Sequence, residues 1–543
     1  MSGRAGDGRP NTPNTTGPLE LWLSLALFAA LTTFLATRHA MWRDEVRAFS
    51  VATQARSWLS LFGDVHQDGH PIIWYAILRA GYSVFHSPLV LPIAALLIAW
   101  IAAFLILRFA PFSFWIRILI VFGVFLGHEF SVVARNYGIG ILFMVLACIL
   151  FPTRGERPLR LGIVLALLAN TSVHAALVAL LLGFVWIGSD LLDPSSRQAL
   201  ARPASIGALA IGIAGVAFAL WTAHVPADMA YAVPLSRVTP DKWVAIPLDP
   251  GRGLMGYQLA YIAGAGALPW THLGINPTLA CRLIVDIALL GIAWSLRRHP
   301  VSLAAMVLAI VAFEVIFRLM YSGSLRHEGI LAFFLISLVW IASEDSAQQP
   351  ETERRRMALG LLPLLLFQAA ALPLTIRRVL IFPTSSSREL GALIDRTPAW
   401  REAILAGEPD YMMEPMPYYV GNPVFMPRQR AFDYRAYFDR GARRTQKLSL
   451  GGLLDVVDSL RCAAQRPVIL AIGYHKLLSD SAGNATLAYP GAEFSWNAAE
   501  RSRLLTEGKL VGSFFNAIDD ENYFVFALAS PPIGCTRSPN PRD

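Results

Sequence analysis

The sequence predicts a mostly α-helical, polytopic membrane protein of about 11 transmembrane helices (residues 19–376), followed by a small extracytoplasmic α/β domain (377–543). Three observations carry this. Of 543 residues, 55% are hydrophobic and only 15% charged, against about 25% charged in a soluble protein. The charges gather in small arginine clusters between long uncharged runs. The composition then turns polar beyond about residue 376. Disordered chains, coiled coils and ordinary cytosolic enzymes are excluded. The net charge of +8 is the mark of cytoplasmic loops and gives no nucleic-acid footprint.

Residues 1–18 are rich in Gly, Pro, Asn and Thr and read as a disordered cytoplasmic tail. The first apolar run, 21–37, has 17 uncharged residues. A cleaved signal peptide competes here, but the long preceding tail and the many later runs favour a first span. Further runs cover 87–107, 118–134, 137–153, 203–221, 279–296, 301–321, 329–343 and 357–375. The stretch 161–189 is too long for one crossing and reads as two short helices turning at Thr171-Ser172-Val173-His174. The Gly-rich segment 253–270 reads as re-entrant or interfacial.

With the N-terminus inside, Arg108, Arg117, Arg154, Arg157, Arg160, Arg197, Arg202, Arg297, Arg298 and Arg354–Arg356 all fall in inner loops, as the positive-inside rule requires. The protein then reads as a multi-pass plasma (bacterial inner) membrane protein with its tail domain outside. In that domain 467–473, 510–515 and 523–528 read as strands, the last two split by an Asp519-Asp520-Glu521-Asn522 turn. Residues 450–465 read as an amphipathic helix, and Pro383-Thr384-Ser385-Ser386-Ser387 as a linker. Cys462 and Cys535 lie where a disulfide is permitted.

The outer side collects acids, histidines and arginines. The first outer loop, 38–86, holds Trp42-Arg43-Asp44-Glu45-Val46-Arg47 and His66-Gln67-Asp68-Gly69-His70-Pro71. Later outer turns hold His128 and Glu129, Arg135-Asn136-Tyr137, His174, and Ser324-Leu325-Arg326-His327-Glu328. Polar residues at a membrane edge mark the functional face. Asp44-Glu45 is either a solvated helix start or an interfacial carboxylate whose raised pKa suits a general base. His66, Asp68 and His70 alternate, so an extended segment would turn them the same way toward a divalent metal ion. The competing reading is a polar loop in which Asp68 turns at Gly69.

An Asp-Glu pair after the first span, an amphipathic segment at 46–62, then His70-Pro71-Ile72-Ile73-Trp74-Tyr75, and Arg135-Asn136-Tyr137 two spans later form a layout. It resembles the polyprenyl-phosphate-sugar-dependent glycosyltransferases of the GT-C fold, the superfamily of protein mannosyltransferases and lipid A aminoarabinose transferases. The resemblance covers roughly 20–190, with later spans matching by architecture. Many members carry a double proline after the histidine, where this chain has Pro71-Ile72. The resemblance implies an inverting transfer from a polyprenyl-phosphate sugar donor to a lipid, glycan or protein acceptor, with Asp44 as base. Glu45, His70, Tyr137 and His174 would support it, and Arg135, Arg326 and His327 would bind the donor phosphate. A flippase of lipid-linked sugars and a non-catalytic assembly protein are the alternatives. Convergence of Asp44, Arg135 and Arg326 on one cavity separates the enzyme from both.

Overall fold

A computed structural model describes residues 17–66, 68–227, 229, 277–319, 323–345, 351–438, 444–479, 484–489, 492–529 and 535. Of the expected tail at 1–18, residues 1–16 lie outside the described residues, as does the segment 253–270, while Gly17 and Pro18 form the cap and first residue of the first helix.

The chain opens with α1 (Pro18–Arg38), then three shorter helices, α2 (Arg43–Gln54), α3 (Trp58–His66) and α4 (Ile73–Phe85). The helical core continues with α5 (Val90–Phe109), α6 (Phe114–Val121), α7 (Tyr137–Leu150), α8 (Pro158–Ala169), α9 (Val173–Leu192), the short α10 (Arg197–Leu200) and α11 (Pro203–Thr222). It closes with α12 (Pro277–Leu296), α13 (Pro300–Leu319), α14 (Leu325–Asp345) and α15 (Glu351–Ile381). Among the described residues, seven helices are long and apolar enough to cross a membrane. Each of the 11 expected segments falls on helical structure, but α7 and α8 are short, and the 118–134 run is broken. There α6 ends at Val121, and a π-helical turn, Phe125–Glu129, follows. The chain then runs non-helically to Asn136. The expected split exists but lies slightly earlier, at Asn170–Ser172: Ser172 caps α9 by accepting from Ala175 N at 3.1 Å, Val173 and His174 already belong to α9, and α9 is a full 20 residues rather than a short helix. Lipid-like packing shows where α8 crosses α11. A Cβ on Gly162 would sit 2.3 Å from the Ala208 carbonyl oxygen, so the two backbones can meet only at a glycine.

The tail is a mixed six-stranded sheet in the order β3-β2-β1-β5-β9-β8, with a three-stranded sheet β4-β7-β6. Here β1 is Ile404–Glu408, β2 Val424–Met426, β3 Ala431–Phe432, β4 Lys447–Ser449 and β5 Val468–Ile472. The rest are β6 Ala485–Tyr489, β7 Ala492–Trp496, β8 Lys509–Phe514 and β9 Tyr523–Leu528. The three strands and the helix read from sequence are β5, β8, β9 and Leu450–Ala464. Cys462 and Cys535 form a disulfide across a sequence separation of 73 residues.

The expected linker is not a free tether. Ser385, Ser386 and Ser387 are fully buried, and 383–386 runs against the β8–β9 hairpin loop. Ile518 N donates to Pro383 O at 2.8 Å and Asp519 N to Thr384 O at 3.1 Å. The tail is also fastened to the first loop. Arg47 Nη1 reaches Glu414 at 2.6 Å and Tyr419 Oη donates to Met41 O at 3.0 Å. Arg388 caps the carbonyl end of α1 through Arg38 O at 3.1 Å. The hairpin loop is thereby held over the start of α2.

Candidate active site

The site begins where α2 begins. Glu45, the third residue of that helix, reaches back to accept from Trp42 N at 3.2 Å, which is half of a capping box. Its other oxygen accepts from Ala134 N at 2.6 Å, and His39 Nε2 lies 2.7 Å away. Glu45 is fully buried. It therefore ties α2 to the turn before α7, and this brings Arg135 to Asp44. Its neighbour Asp44 faces another way and keeps 27% of its side chain accessible, enough for an approaching hydroxyl to reach it.

Asp44 Oδ2 lies 3.1 Å from Arg135 Nη1 and 3.7 Å from Arg326 Nη2. Arg43 Nε lies 3.6 Å from Oδ1. Burial alone would raise the Asp44 carboxyl, but Arg135, Arg43 and Arg326 outweigh it and hold the group well below the ordinary range. The raised pKa expected from the membrane-edge position is thus overturned, because three guanidiniums surround the carboxylate. Arg135 also donates through Nη2 to His70 Nε2 at 3.2 Å. His70 can accept because burial, with Arg135 beside it, pushes the imidazole down to about 4 and keeps it neutral. Arg326 lies over the Trp42 ring at 5.2 Å and has no hydrogen bond among the described residues. Its N–H fork is available to an anion.

Tyr137, the first residue of α7, meets His327 Nε2 at 2.9 Å. The Ser324 backbone N–H donates to His327 Nδ1 at 3.2 Å, so Nδ1 carries the lone pair and Nε2–H donates to the tyrosine oxygen. The His174 ring stacks on His327 with centroids 4.5 Å apart, and His70 meets Tyr137 edge-on at 6.3 Å. Asp44, His70, Arg135, Tyr137, His174, Arg326 and His327 thus form one continuous cluster, drawn from α2, the α3–α4 loop, the turn before α7, α7 itself, α9 and α14. Arg326, His327 and Glu328 occupy the first turn of α14 instead of the expected loop.

The expected metal triplet does not assemble. His66 is the last residue of α3, so the extended alternation fails, and its ring packs edge-on against Trp221 at 5.0 Å. Asp68 binds Arg47 Nε at 2.6 Å and the Tyr75 hydroxyl. His70 faces Arg135. No group of three metal-ligating side chains occurs among the described residues.

Beside this cluster lies a cavity of about 420 Å³ lined by Trp42, His128, Glu129, Arg326, Thr375 and Asp519, among others; of the three residues expected to converge on one cavity, Arg326 lines it, while Asp44 and Arg135 are not among its lining residues. Asp519 comes from the tail, as do the partners of Arg43. Asp520 binds Arg43 Nη1 at 2.6 Å and Glu521 accepts from Arg43 N at 2.7 Å. The sequence reads this acidic run only as a turn. The paired signal is the Arg43/Arg47 cluster in the first loop, more than 400 positions away, and only the fold connects the two.

No protein-family profile matches the chain, and no curated protein matches it by sequence. Among solved structures, it is similar to ArnT from Cupriavidus metallidurans bound to undecaprenyl phosphate, at 12% identity and a TM-score of 0.43, over 96% of this chain and 99% of that one. It is also similar to ArnT from Cupriavidus metallidurans in the apo state, at 14% identity and a TM-score of 0.36, over 94% and 99%.

Glu45 belongs to the scaffold of the site. Replacing Glu45 by Ala leaves His39 and two buried N–H groups without their acceptor and should cost about 3–5 kcal/mol, the range for breaking a buried pair. Glu45→Gln, which keeps one acceptor oxygen, should cost less. Thermal unfolding of the purified protein checks this, and an unchanged midpoint for Glu45→Ala would contradict the scaffold role.

Proposed function

We propose that the protein is a membrane glycosyltransferase that moves a sugar from a polyprenyl-phosphate donor to a hydroxyl of a lipid, glycan or protein acceptor on the outer face of the membrane. The supporting observation is that Arg135, from the turn before α7, and Arg326, from the first turn of α14, meet at one oxygen of Asp44. That places two anion-binding forks against one basic oxygen, as a phosphate leaving group and a nucleophilic hydroxyl require.

In this mechanism the donor phosphate sits between Arg135 and Arg326. The acceptor oxygen attacks the anomeric carbon from the face opposite the phosphate, and the bond from that carbon to the phosphate oxygen breaks. Configuration inverts. The acceptor proton passes to Asp44, and the bond electrons leave with the polyprenyl phosphate, whose added negative charge the two guanidiniums stabilise. Asp44 is a weak base while both arginines face it alone. An anionic phosphate shares those arginines, reduces their pull on the carboxylate, and raises its basicity as the donor binds. Neutral His70 orients Arg135. The Tyr137–His327 pair fixes the first turn of α14, and with it Arg326. Nothing in this scheme calls for a metal ion. A flippase reading draws no support from groups gathered at one end of the helices, since transporter sites lie near the bilayer midplane.

The arginine-rich short loops support an extracytoplasmic tail domain. The Cys462–Cys535 disulfide supports the same side, since such bonds persist in oxidising compartments. A single introduced cysteine, Lys509→Cys, should react with a membrane-impermeant maleimide in intact cells. Reaction only after lysis would reverse the orientation.

Asp44→Asn keeps the shape and removes the basicity. It should leave the protein folded and reduce transfer by about 10²–10⁴, the range for a lost acid–base group. Arg135→Lys and Arg326→Lys should each lower transfer, because the charge stays while the bidentate fork is lost. Comparing sugar-bearing lipids and glycans of envelopes from cells carrying each variant reads this out. Undiminished transfer by Asp44→Asn would end the proposal.

A further inference from the structure

The cavity beside Arg326 has features of a ligand seat. His128 and Thr375 line it, each only 6% exposed. Neither ring nitrogen of His128, nor the Thr375 hydroxyl, has a hydrogen-bond partner among the described residues. Buried polar groups ordinarily find partners, so two such groups on one cavity wall point to a ligand that supplies them. Glu129 and Asp519 also line the cavity, and neither carboxylate has a hydrogen-bond partner among the described residues. Acceptors on carboxylates, donors and acceptors on imidazole and hydroxyl, donors on Arg326, and the apolar wall of Trp42 together match a polyhydroxylated ring. The volume of about 420 Å³ lies within the 300–1,000 Å³ of small-molecule sites.

We propose that this cavity seats the sugar ring of the donor, and that Glu129 and the tail residue Asp519 are specificity-determining residues that read its hydroxyls. The inference rests on the glycosyltransferase reading above. Arg326 decides between donor and acceptor. It lines the cavity and also lies 3.7 Å from Asp44 Oδ2, in the proposed phosphate site. The donor sugar is joined to that phosphate through a single oxygen, so a phosphate held by Arg326 delivers its sugar into this cavity. The acceptor then enters from the accessible side of Asp44. The tail domain thereby becomes part of the site: the hydrogen bond from Asp519 N to Thr384 O fixes the loop that carries the reading carboxylate.

The test uses the full-length protein in lipid nanodiscs and measures binding of undecaprenyl phosphate and of undecaprenyl-phosphate glucose, mannose, galactose and arabinose. The wild type should bind bare undecaprenyl phosphate and bind at least one sugar-bearing lipid more tightly. Asp519→Asn and Glu129→Gln should each reduce that sugar-dependent gain by about tenfold and leave bare undecaprenyl phosphate binding unchanged, which also shows that the variants are folded. Arg326→Lys should weaken bare and sugar-bearing lipids alike. An undiminished sugar gain in both carboxylate variants would overturn the inference while leaving the glycosyltransferase reading standing, as would the absence of any sugar gain in the wild type. Failure of the wild type to bind undecaprenyl phosphate would overturn the donor reading and this inference with it.

Discussion

The cluster around Asp44 depends on one buried carboxylate, that of Glu45. Glu45 accepts from Trp42 N inside its own helix and from Ala134 N on a segment 89 positions away. A buried carboxylate is tolerated only when its acceptors are satisfied, so the two backbone strands must stay where they are. With α2 and the turn before α7 locked together, Asp44 and Arg135 have little freedom to part. Residues 44 and 45 thus divide the work along one helix. Neighbours point about 100° apart, one into the scaffold and one toward the accessible side.

Charge organises the next layer. Arg135, Arg326 and Arg43 meet Asp44, and Arg43 is in turn held by Asp520 and Glu521 of the tail. Arg47 ties Asp68 in the α3–α4 loop to Glu414 in the tail. The Arg47 pairs and the Arg135–Asp44 pair are partly buried, so salt screens them less than surface pairs. The tail domain is therefore joined to the first loop by these pairs, and its hairpin loop supplies part of the cavity wall.

Much of this was legible in the sequence. Apolar runs and arginine-rich loops marked the helices, including the turn at Ser172 that splits a run too long for one crossing. The cluster residues stood out because acids, histidines and arginines are rare at the ends of apolar helices. The electrostatic state of Asp44 was not legible. It depends on Arg135 and Arg326, 91 and 282 positions away, as well as on the adjacent Arg43, and no local pattern measures the approach of the distant two. The metal triplet failed for a local reason: the alternation argument assumes an extended chain, and His66 closes a helix. The 383–387 segment looked like a linker by composition, yet its serines pack against the hairpin loop, because small side chains suit a tight seam as well as a flexible tether. Asp519 was read as a turn residue, and only the β8–β9 hairpin carries it to the cavity.

The central claim is that Arg135 and Arg326 form the donor-phosphate site and that Asp44 is released from them as the phosphate binds. Cryo-electron microscopy of the full chain in nanodiscs with undecaprenyl phosphate tests it most directly. The account predicts phosphate oxygens within about 3 Å of both guanidiniums, the charge-assisted hydrogen-bond range, with the separation of Asp44 from Arg135 lengthened from 3.1 Å. A phosphate bound elsewhere, with the Asp44–Arg135 pair intact, would contradict it.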